Sequence, residues 1–377
     1  MPTYLDHAAT TPMRPSAIAA MLPFLDVSYA NASGSHRFAR SARKAVDEAR
    51  DAVAEALGCA PGEVVFTGSG TESDNAAILG AVRRTGRTAV CSATEHHAVL
   101  HCVEHVGGTV VGVDARGAVD VGALEEAVAN VRPAVVSVMA VNNEVGTVSP
   151  LAEVAAAVRR AAPEALLHTD AVQAACWIDL RPVASLFDAM SLSAHKFGGP
   201  KGVGVLMIRD GQQLEPLVLG GGQERNRRSG TLNVPGIVAT AAALTETVAD
   251  RDDESRRVGA LATMLAEGLV TVDGVRETVP AQSRVPGLVH VCIEGVESEA
   301  LLFMLDAADV CASAASACSS GAMSPSHVLA AMGVEPERAR GALRMSLGHS
   351  TTASDVERAL DAVAGSVTRL RRGRIAS

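Results

Sequence analysis

Several features are scarce in this 377-residue chain, and each scarcity excludes a class of protein. Aromatic residues make up 2% of the chain, so alanine, valine and leucine must fill the core. The net charge of −9 argues against a nucleic-acid surface, which needs a strongly basic face. No apolar run approaches the ~18 residues that a membrane span requires, and the N-terminus lacks the basic region of a secretory signal. We expect neither nucleic acid nor membrane as a direct partner.

Paired cysteines are also missing. The seven cysteines are an odd number, are scattered, and form no C-x-x-C pair. This usage is typical of a reducing cytoplasm and argues against a disulfide framework or a zinc site. We therefore expect a cytoplasmic protein without a bound metal. The one basic cluster, at residues 369–374, is interpreted as a solvated helix end.

Short β-branched runs alternate with alanine-rich helical segments over the first two thirds of the chain. The predicted strands are residues 64–66, 89–91, 135–139, 166–168, 189–193 and 203–208, and the predicted helices between them include 43–57, 124–131 and 151–161. This alternation predicts an α/β fold with a mostly parallel sheet covered by helices on both faces. From about residue 255, helices at 256–269, 298–305 and 326–332 and a strand near 289–293 predict a smaller α+β domain.

Only three of the 33 basic residues are lysine. Arginine does not deprotonate in proteins, whereas a partly buried lysine can lose its proton and act as a nucleophile. Lys196 ends the apolar run 189–196 and precedes a glycine-rich turn, and ligands bind at strand ends in open α/β sheets. Lys44 lies in a polar helical segment and Lys201 in the turn itself, so we expect neither to react.

A lysine that forms a Schiff base with pyridoxal phosphate requires a carboxylate for the pyridinium nitrogen. Asp170 closes the preceding predicted strand and would reach the same edge of the sheet as Lys196. Taken alone, Asp170 could equally cap the next helix; together with Lys196, the cofactor role is favoured.

A phosphate group requires backbone N–H donors, which a turn between a strand and a helix provides. Residues 66–75 (FTGSGTESDN) have this character, although they match neither the P-loop nor G-x-G-x-x-G. By itself such a turn is a weak signal. His96 follows the next strand and could lie flat on a cofactor ring, but a structural role for it, or the same role for the adjacent His97, is left open.

Cys318 stands apart from the other cysteines. It lies in a run of small residues, 313–325, which buries too little apolar area to offset its ordering entropy, so we expect a mobile surface loop. The other six cysteines lie in or beside apolar segments, as buried cysteines usually do. An exposed thiol on such a loop is placed to act as a nucleophile.

Eleven motifs together resemble the NifS/IscS-type cysteine desulfurases of the class V aminotransferase superfamily, which are fold-type I pyridoxal-phosphate enzymes. They are YLDHAATTP (4–12), NASGSH (31–36), GTESDN (70–75), TEH (94–96), NNEVG (142–146), DAVQ (170–173), SAHKFGGPKG (193–202), GGGQER (220–225), RSGT (228–231), SAC (316–318) and RMSLG (344–348). The resemblance implies a seven-stranded, mostly parallel sheet in a large domain, residues 15–254. Residues 1–14 together with 255–377 would form a small domain that carries Cys318.

The resemblance also implies the site. Lys196 would bind pyridoxal 5′-phosphate covalently and Asp170 would pair with its ring nitrogen. His96 would stack on the ring and assist catalysis, while Asn143 and Gln173 would contact ring substituents. The phosphate would be bound by Gly70, Thr71, Ser193 and His195, and by Thr231 of a second subunit in a homodimer. Asn31 and Arg344 would hold the substrate carboxylate, and Cys318 would carry the persulfide.

The implied reaction is the conversion of L-cysteine to L-alanine, with sulfur passed from Cys318 to acceptor proteins. Iron–sulfur cluster assembly, tRNA or DNA thiolation and thio-cofactor synthesis are possible destinations. Alternatives are another carbon–sulfur or selenium lyase or an aminotransferase on the same fold, or a non-catalytic scaffold. Two departures from the family pattern, Ala315 for glycine and Ala32 for proline, touch no reacting atom.

Overall fold

The computed structural model of the protein describes residues 2–314, 318, 319, 322, 323 and 326–375, with side chains for residues 2–314 and 326–372. The helices within these residues are α1 (Pro15–Leu25), α2 (Arg37–Leu57), α3 (Gly70–Thr85), α4 (His97–His105), α5 (Val121–Val131), α6 (Leu151–Ala161), α7 (Leu180–Leu186), α8 (Val234–Val270), α9 (Ser298–Asp306), α10 (His327–Ala331), α11 (Pro336–Ala339) and α12 (Ala353–Ile375). The strands are β1 (Thr3–Tyr4), β2 (Val64–Thr67), β3 (Ala89–Ser92), β4 (Thr109–Val111), β5 (Val135–Ser137), β6 (Leu166–Asp170), β7 (Ala189–Ser193), β8 (Gly204–Ile208), β9 (Val275–Glu277), β10 (Leu288–Ile293), β11 (Val310–Cys311), β12 (Cys318–Ser319), β13 (Ala322–Met323) and β14 (Ala342–Ser346).

A seven-stranded sheet in the order β2-β8-β7-β6-β5-β3-β4 forms the centre of the larger part of the molecule. Only β8 runs antiparallel to its neighbours; the other pairings are parallel. The parallel strands therefore end at the same edge of the sheet, and the turns that follow them meet there. This confirms the predicted mostly parallel seven-stranded sheet.

Alternation of side chains along the strands produces a hydrophobic core on each face of this sheet. Val64, Val90 and Val136 belong to one cluster, which also contains residues of α2, α5, α6 and the first half of α8. Val65 and Val135 belong to a second cluster, which contains residues of α3 and α4. Because successive side chains of a strand point to opposite faces, apolar runs without polar alternation fit a sheet covered on both sides, as predicted.

A second, antiparallel sheet in the order β14-β10-β9 lies in the C-terminal part of the chain. Its buried residues form a cluster with the second half of α8, with α9 and with α12. The N-terminal segment joins this part, because β1 pairs with β11 and Asp6 bridges to Ser346. The predicted α+β character of this region is confirmed.

Two details differ from the sequence prediction. The predicted helix at 256–269 is the second half of α8, a single helix of 37 residues. The strand predicted at 135–139 ends at Ser137, although the N–H groups of Val138 and Ala140 still donate to carbonyl oxygens of β6. The apolar run 189–196 is a strand only as far as Ser193, where the predicted strand also ends, and Lys196 lies on a 3₁₀ turn, Ala194–Lys196.

The division into two domains stays a proposal. The separate hydrophobic clusters on the two sheets support it. The proposed boundary between residues 254 and 255 falls inside α8, so this helix would belong to both domains. Across the described residues, no helix combines the length and apolar character needed to cross a bilayer.

Candidate active site

A cavity of about 320 Å³ opens where the parallel strands end. Its walls come from the segments that follow β2, β3, β5, β6 and β7, together with the N-terminal segment and β14. Ten of the residues predicted from the sequence line it: Gly70, Thr71, His96, Asn143, Asp170, Gln173, Ser193, His195, Lys196 and Arg344. Convergence of residues from seven separate chain segments on one strand-end cavity is typical of a ligand site in an open α/β sheet.

Lys196 extends into this cavity from the 3₁₀ turn after β7. Its Nζ donates hydrogen bonds to the carbonyl oxygens of Ala8 at 2.5 Å and Ala9 at 2.9 Å. Burial and then the Arg344 guanidinium lower the pKa of the Lys196 amine, the carboxylates of Asp170 and Asp6 oppose the shift, and the resulting pKa is about 8. An amine with this pKa is partly unprotonated near neutral pH and can act as a nucleophile or base.

Asp170, the last residue of β6, lies at the floor of the cavity and is 4% exposed. Its Oδ1 accepts a 2.9 Å hydrogen bond from the backbone N–H of Val172. Burial raises the pKa of Asp170 to about 6, and the hydrogen bond and the positive charge of Lys196 limit that rise. A buried carboxylate facing a cavity is suited to pair with a cationic ring nitrogen.

The N-terminus of α3 forms a second wall and is suited to an anion. Ser69 caps the helix by accepting a 3.1 Å hydrogen bond from the N–H of Glu72, which leaves the first-turn N–H groups near the cavity. A Cβ on Gly70 would lie 2.8 Å from Cγ2 of Val172 and 3.1 Å from Cβ of Ser193, so only glycine lets the backbone approach this closely. The helix dipole and free N–H groups at such an end favour negative charge.

His96 caps α4, its Nδ1 accepting a 3.1 Å hydrogen bond from the N–H of Ala98. Burial lowers the pKa of His96 to about 4, and the positive charge of Lys196 acts in the same direction. The imidazole is therefore neutral at physiological pH, and a neutral ring can pack flat on another ring without repelling Lys196. His97 lies on the first turn of α4 and does not line this cavity.

Arg344 and Gln173 are held by the N-terminal segment and the turn after β5. One guanidinium nitrogen of Arg344 donates to Oδ1 of Asp6 at 2.7 Å and the other to the carbonyl oxygen of Asn143 at 2.8 Å. Its Nε is buried without a partner among the described residues. The Nε2 of Gln173 donates to the carbonyl oxygen of Ala8 at 2.6 Å, the same oxygen that accepts from Lys196.

Two predicted site residues lie elsewhere. Asn31 and Thr231 are exposed and do not line the cavity. Cys318 belongs by its backbone to β12, which pairs with β13, but its side chain lies outside the described residues. Ala315, the replacement noted in the same segment, also lies outside them.

The sequence reasoning did not assign functions to three acidic residues of the site. Asp6 holds Arg344, Asp74 lines the cavity from α3, and Glu95 is fully buried before His96. Asp74 and Glu95 each stand inside a motif that was used for another residue, GTESDN and TEH. The sequence does not reveal that Asp74 and Glu95 lie away from cations, because this depends on the packing of α3 against the sheet.

Comparison with known proteins places this geometry in a family. The aminotransferase class-V family model matches residues 3–359. The chain belongs to the class-V aminotransferase family. A curated relative, the IscS-like cysteine desulfurase of Mycobacterium tuberculosis (strain ATCC 25618 / H37Rv), is 44% identical over 390 aligned positions, covering 99% of this chain and 98% of the relative.

Solved structures of similar proteins have the same fold. A NifS-like protein superimposes with a TM-score of 0.91 at 34% identity, covering 98% of this chain and 100% of that one. The structure described as SspA in complex with cysteine gives a TM-score of 0.78 at 30% identity, covering 93% and 99%. Because these superpositions cover nearly the whole chain, the class-V aminotransferase fold includes both of its larger sheets.

Proposed function

We propose that the protein is a pyridoxal 5′-phosphate-dependent cysteine desulfurase, which converts L-cysteine to L-alanine and transfers the sulfur through Cys318. The observation that carries the proposal is the placement of the Lys196 amine, half-buried and with its pKa lowered to about 8, in one cavity with Asp170 and the N-terminus of α3. The names of the relatives, cysteine desulfurases and NifS-like proteins, give the reaction.

The residues of the cavity fit the cofactor. Lys196 would hold it covalently, and Asp170 would bind the ring nitrogen. The phosphate would meet the N–H groups at Gly70 and Thr71 and the side chains of Ser193 and His195. The close approach that Gly70 permits is the structural support for this cradle.

The rest of the ring would be bound by neighbouring side chains. His96 would stack on it as a neutral imidazole, and Asn143 and Gln173 would contact its substituents. Thr231 would reach the phosphate from a second subunit; its exposure, away from the cavity of its own chain, supports a role across an interface.

The bound cofactor would withdraw electrons from the substrate and so acidify its Cα proton and weaken its Cβ–S bond. The unprotonated amine of Lys196 would take the Cα proton, and the carbonyl oxygens of Ala8 and Ala9 hold that amine at the cavity wall. Arg344, assisted by Asn31, would bind the substrate carboxylate; its unpartnered Nε is one free donor for that purpose.

Sulfur transfer would use the thiolate of Cys318 as the nucleophile. The thiolate attacks the substrate sulfur, the Cβ–S bond breaks with its electron pair moving to the carbon side, and a persulfide remains on Cys318. The carbon skeleton takes up a proton and leaves as alanine. Cysteine and one thiol thus give alanine and one persulfide, and no external oxidant is needed.

Product analysis of three proteins tests the proposal. Wild type incubated with cysteine should release alanine and form protein-bound persulfide. Cys318→Ala should lose almost all sulfur transfer while keeping the cofactor absorbance, and Lys196→Ala should lose both. Cys318→Ala protein that still transferred sulfur would favour another lyase or an aminotransferase, and a colourless wild type after cofactor addition would favour a non-catalytic scaffold.

We also propose that the protein is a cytoplasmic homodimer that delivers sulfur to acceptor proteins. Six cysteines outside the Cys318 segment are free thiols, which supports a reducing compartment. Trapping a mixed disulfide on Cys318 would identify the acceptor. Pathways of iron–sulfur assembly, of tRNA or DNA thiolation and of thio-cofactor synthesis predict different trapped proteins.

A further inference from the structure

Asp74 is a buried acid that lines the proposed cofactor cavity from α3. It is 1% exposed, and its Oδ1 has no hydrogen-bond partner within the described residues. The nearest ring nitrogen, Nε2 of His168, lies 3.7 Å from this oxygen, which is beyond hydrogen-bond distance. The Asp74 carboxylate accepts a hydrogen bond from the neutral hydroxyl of Ser191, which opposes the rise of its pKa. An ionised carboxylate in this position would still lack the counter-charge that burial of a charge requires.

His168 cannot supply a compensating positive charge. It is fully buried on β6, and its two ring nitrogens lie 2.8 Å from Oγ of Ser137 and 2.9 Å from Oγ of Ser191. Burial lowers the pKa of His168 to about 3. The imidazole is therefore neutral at physiological pH and leaves Asp74 without a counter-ion.

Glu95 is a third buried acid in this region, and it acts on Asp74. Its Oε1 accepts hydrogen bonds from the N–H of Met139 at 2.8 Å and from Oγ of Ser92 at 2.9 Å, whereas its Oε2 has no partner among the described residues. Burial raises the pKa of Glu95 to about 8, and the negative charge of Asp170 also raises it. Glu95 is therefore mainly protonated at neutral pH.

The side chains around Asp74 are two other acids and neutral groups. The groups that act most on Asp74 are Asp170, Ser191 and Glu95, and none of them is a cation. The nearby thiol of Cys102 is neutral, because burial raises its pKa to about 11. Two cations line the cavity within the described residues: Arg344 is paired with Asp6, and Lys196 acts on Asp170. Neighbouring carboxyl groups that share the remaining cation cannot all ionise, and one of them retains its negative charge while the others take up protons.

We propose that Asp74 is protonated at neutral pH and acts as a neutral positioning residue behind Asp170, so that the negative charge beneath the cavity is confined to Asp170. An ionised Asp74 would repel the charge of Asp170 and favour its protonation, which would remove the partner of a cationic ring. Burial, and then repulsion by Asp170, raise the pKa of Asp74, in agreement with this assignment. The role toward Asp170 rests on the proposed function, whereas the protonation state of Asp74 does not.

Infrared difference spectra of the cofactor-loaded protein test the protonation state. Subtracting the Asp74→Asn spectrum from that of wild type at pH 7 should reveal the C=O stretch of a protonated carboxylic acid. The matched control is Asp252→Asn, whose side chain is 87% exposed and whose difference spectrum should show a carboxylate. A carboxylate signal from Asp74→Asn would overturn the proposal, whether or not the protein proves to be a desulfurase.

The pH titration of the visible absorbance band of the bound cofactor tests whether the negative charge is confined to Asp170. Asp74→Asn replaces a neutral acid by a neutral amide of the same shape, so its titration midpoint should equal that of wild type. Glu95→Gln should also leave the midpoint in place, and it serves as a second variant if Asp74→Asn does not fold. Asp170→Asn should abolish the normal titration. A midpoint displaced by about one pH unit or more in either neutral variant, which corresponds to about tenfold in proton affinity, would contradict confinement of the charge to Asp170.

Discussion

At the scale of single residues, the pKa of Lys196 should determine when the proposed cofactor is captured. Only the unprotonated amine attacks an aldehyde, and the pKa of Lys196 is lowered to about 8. The rate of cofactor capture by the cofactor-free protein should rise about tenfold per pH unit below pH 8 and level off above it. Stopped-flow absorbance measures this rate. A rise that continued to pH 10 would show an amine with an ordinary pKa.

Arg344 is the residue on which substrate affinity should depend. Replacement by glutamine removes the charge and two donors, so kcat/KM for cysteine should fall roughly 10- to 100-fold, since hydrogen bonds between charged groups contribute about 1.5 to 3 kcal/mol. The matched control is Arg340→Gln, an exposed arginine paired with Glu337, which should leave steady-state kinetics unchanged. Equal kinetics in the two variants would exclude a carboxylate role for Arg344.

The sequence predicts residues that the structure brings together in one cavity, but not the groups that surround them. Lys196 and Asp170 could be predicted because each follows an apolar strand. The unpaired state of Asp74 and the contact of Arg344 with Asp6 depend on distances between α3, β14 and the N-terminal segment. No local pattern encodes those distances, so these contacts required the structure.

At the scale of elements, the segment between β8 and α8 is held by a buried ion pair. Two nitrogens of Arg50 donate to the carboxylate of Glu224 at 2.8 and 2.6 Å, and the N–H of Phe66 donates to the same carboxylate at 2.9 Å. Glu224, Arg225 and Asn226 all have left-handed backbone angles, with φ of 48°, 57° and 65°. Non-glycine residues adopt this region at a cost, so the ion pair must maintain the turn.

Breaking this pair should destabilise the protein. Glu224→Gln leaves Arg50 buried without a counter-charge, and we expect the free energy of unfolding to decrease by about 3 to 5 kcal/mol. Arg50→Met combined with Glu224→Leu should cost less than either single change, because no charge is left unpaired. Urea unfolding of the four variants, Glu224→Gln, Arg50→Met, Glu224→Leu and the double variant, measures the difference. Additive effects would show that the two side chains do not act as a pair.

The regular elements were predictable to different degrees. The inner strands are continuous apolar runs and were predicted within a few residues. β4 was missed because it is a three-residue edge strand with one buried residue. The full length of α8 was missed because the charged residues 250–257 resemble a linker, although they contain no glycine or proline to end a helix.

At the scale of the whole molecule, the proposed dimer requires an apolar surface, and α1 presents one. Ile18, Leu22 and Leu25 are 44%, 57% and 56% exposed, and their i, i+4, i+7 spacing places them on one face of the helix. Val27 and Tyr29 in the following turn are 70% and 73% exposed. Adjacent exposed apolar residues of this kind indicate an interface.

Charged substitutions on this surface should dissociate the dimer. A Leu22→Glu, Leu25→Glu variant should sediment as a monomer and bind the cofactor more weakly, because Thr231 of the partner would be absent. Phe303→Glu is the control, since Phe303 is 77% exposed on α9, away from α1, and this variant should stay dimeric. A dimeric double variant would place the interface elsewhere.

The most direct test of the account is to locate the covalently bound cofactor. Borohydride reduction of the loaded protein fixes the cofactor to its lysine, and peptide mass mapping then identifies that lysine among the three present. We predict the whole of the label on Lys196. Label on Lys44 or Lys201, or a protein that takes up no cofactor, would contradict the assignment of the cavity and of the reaction built on it.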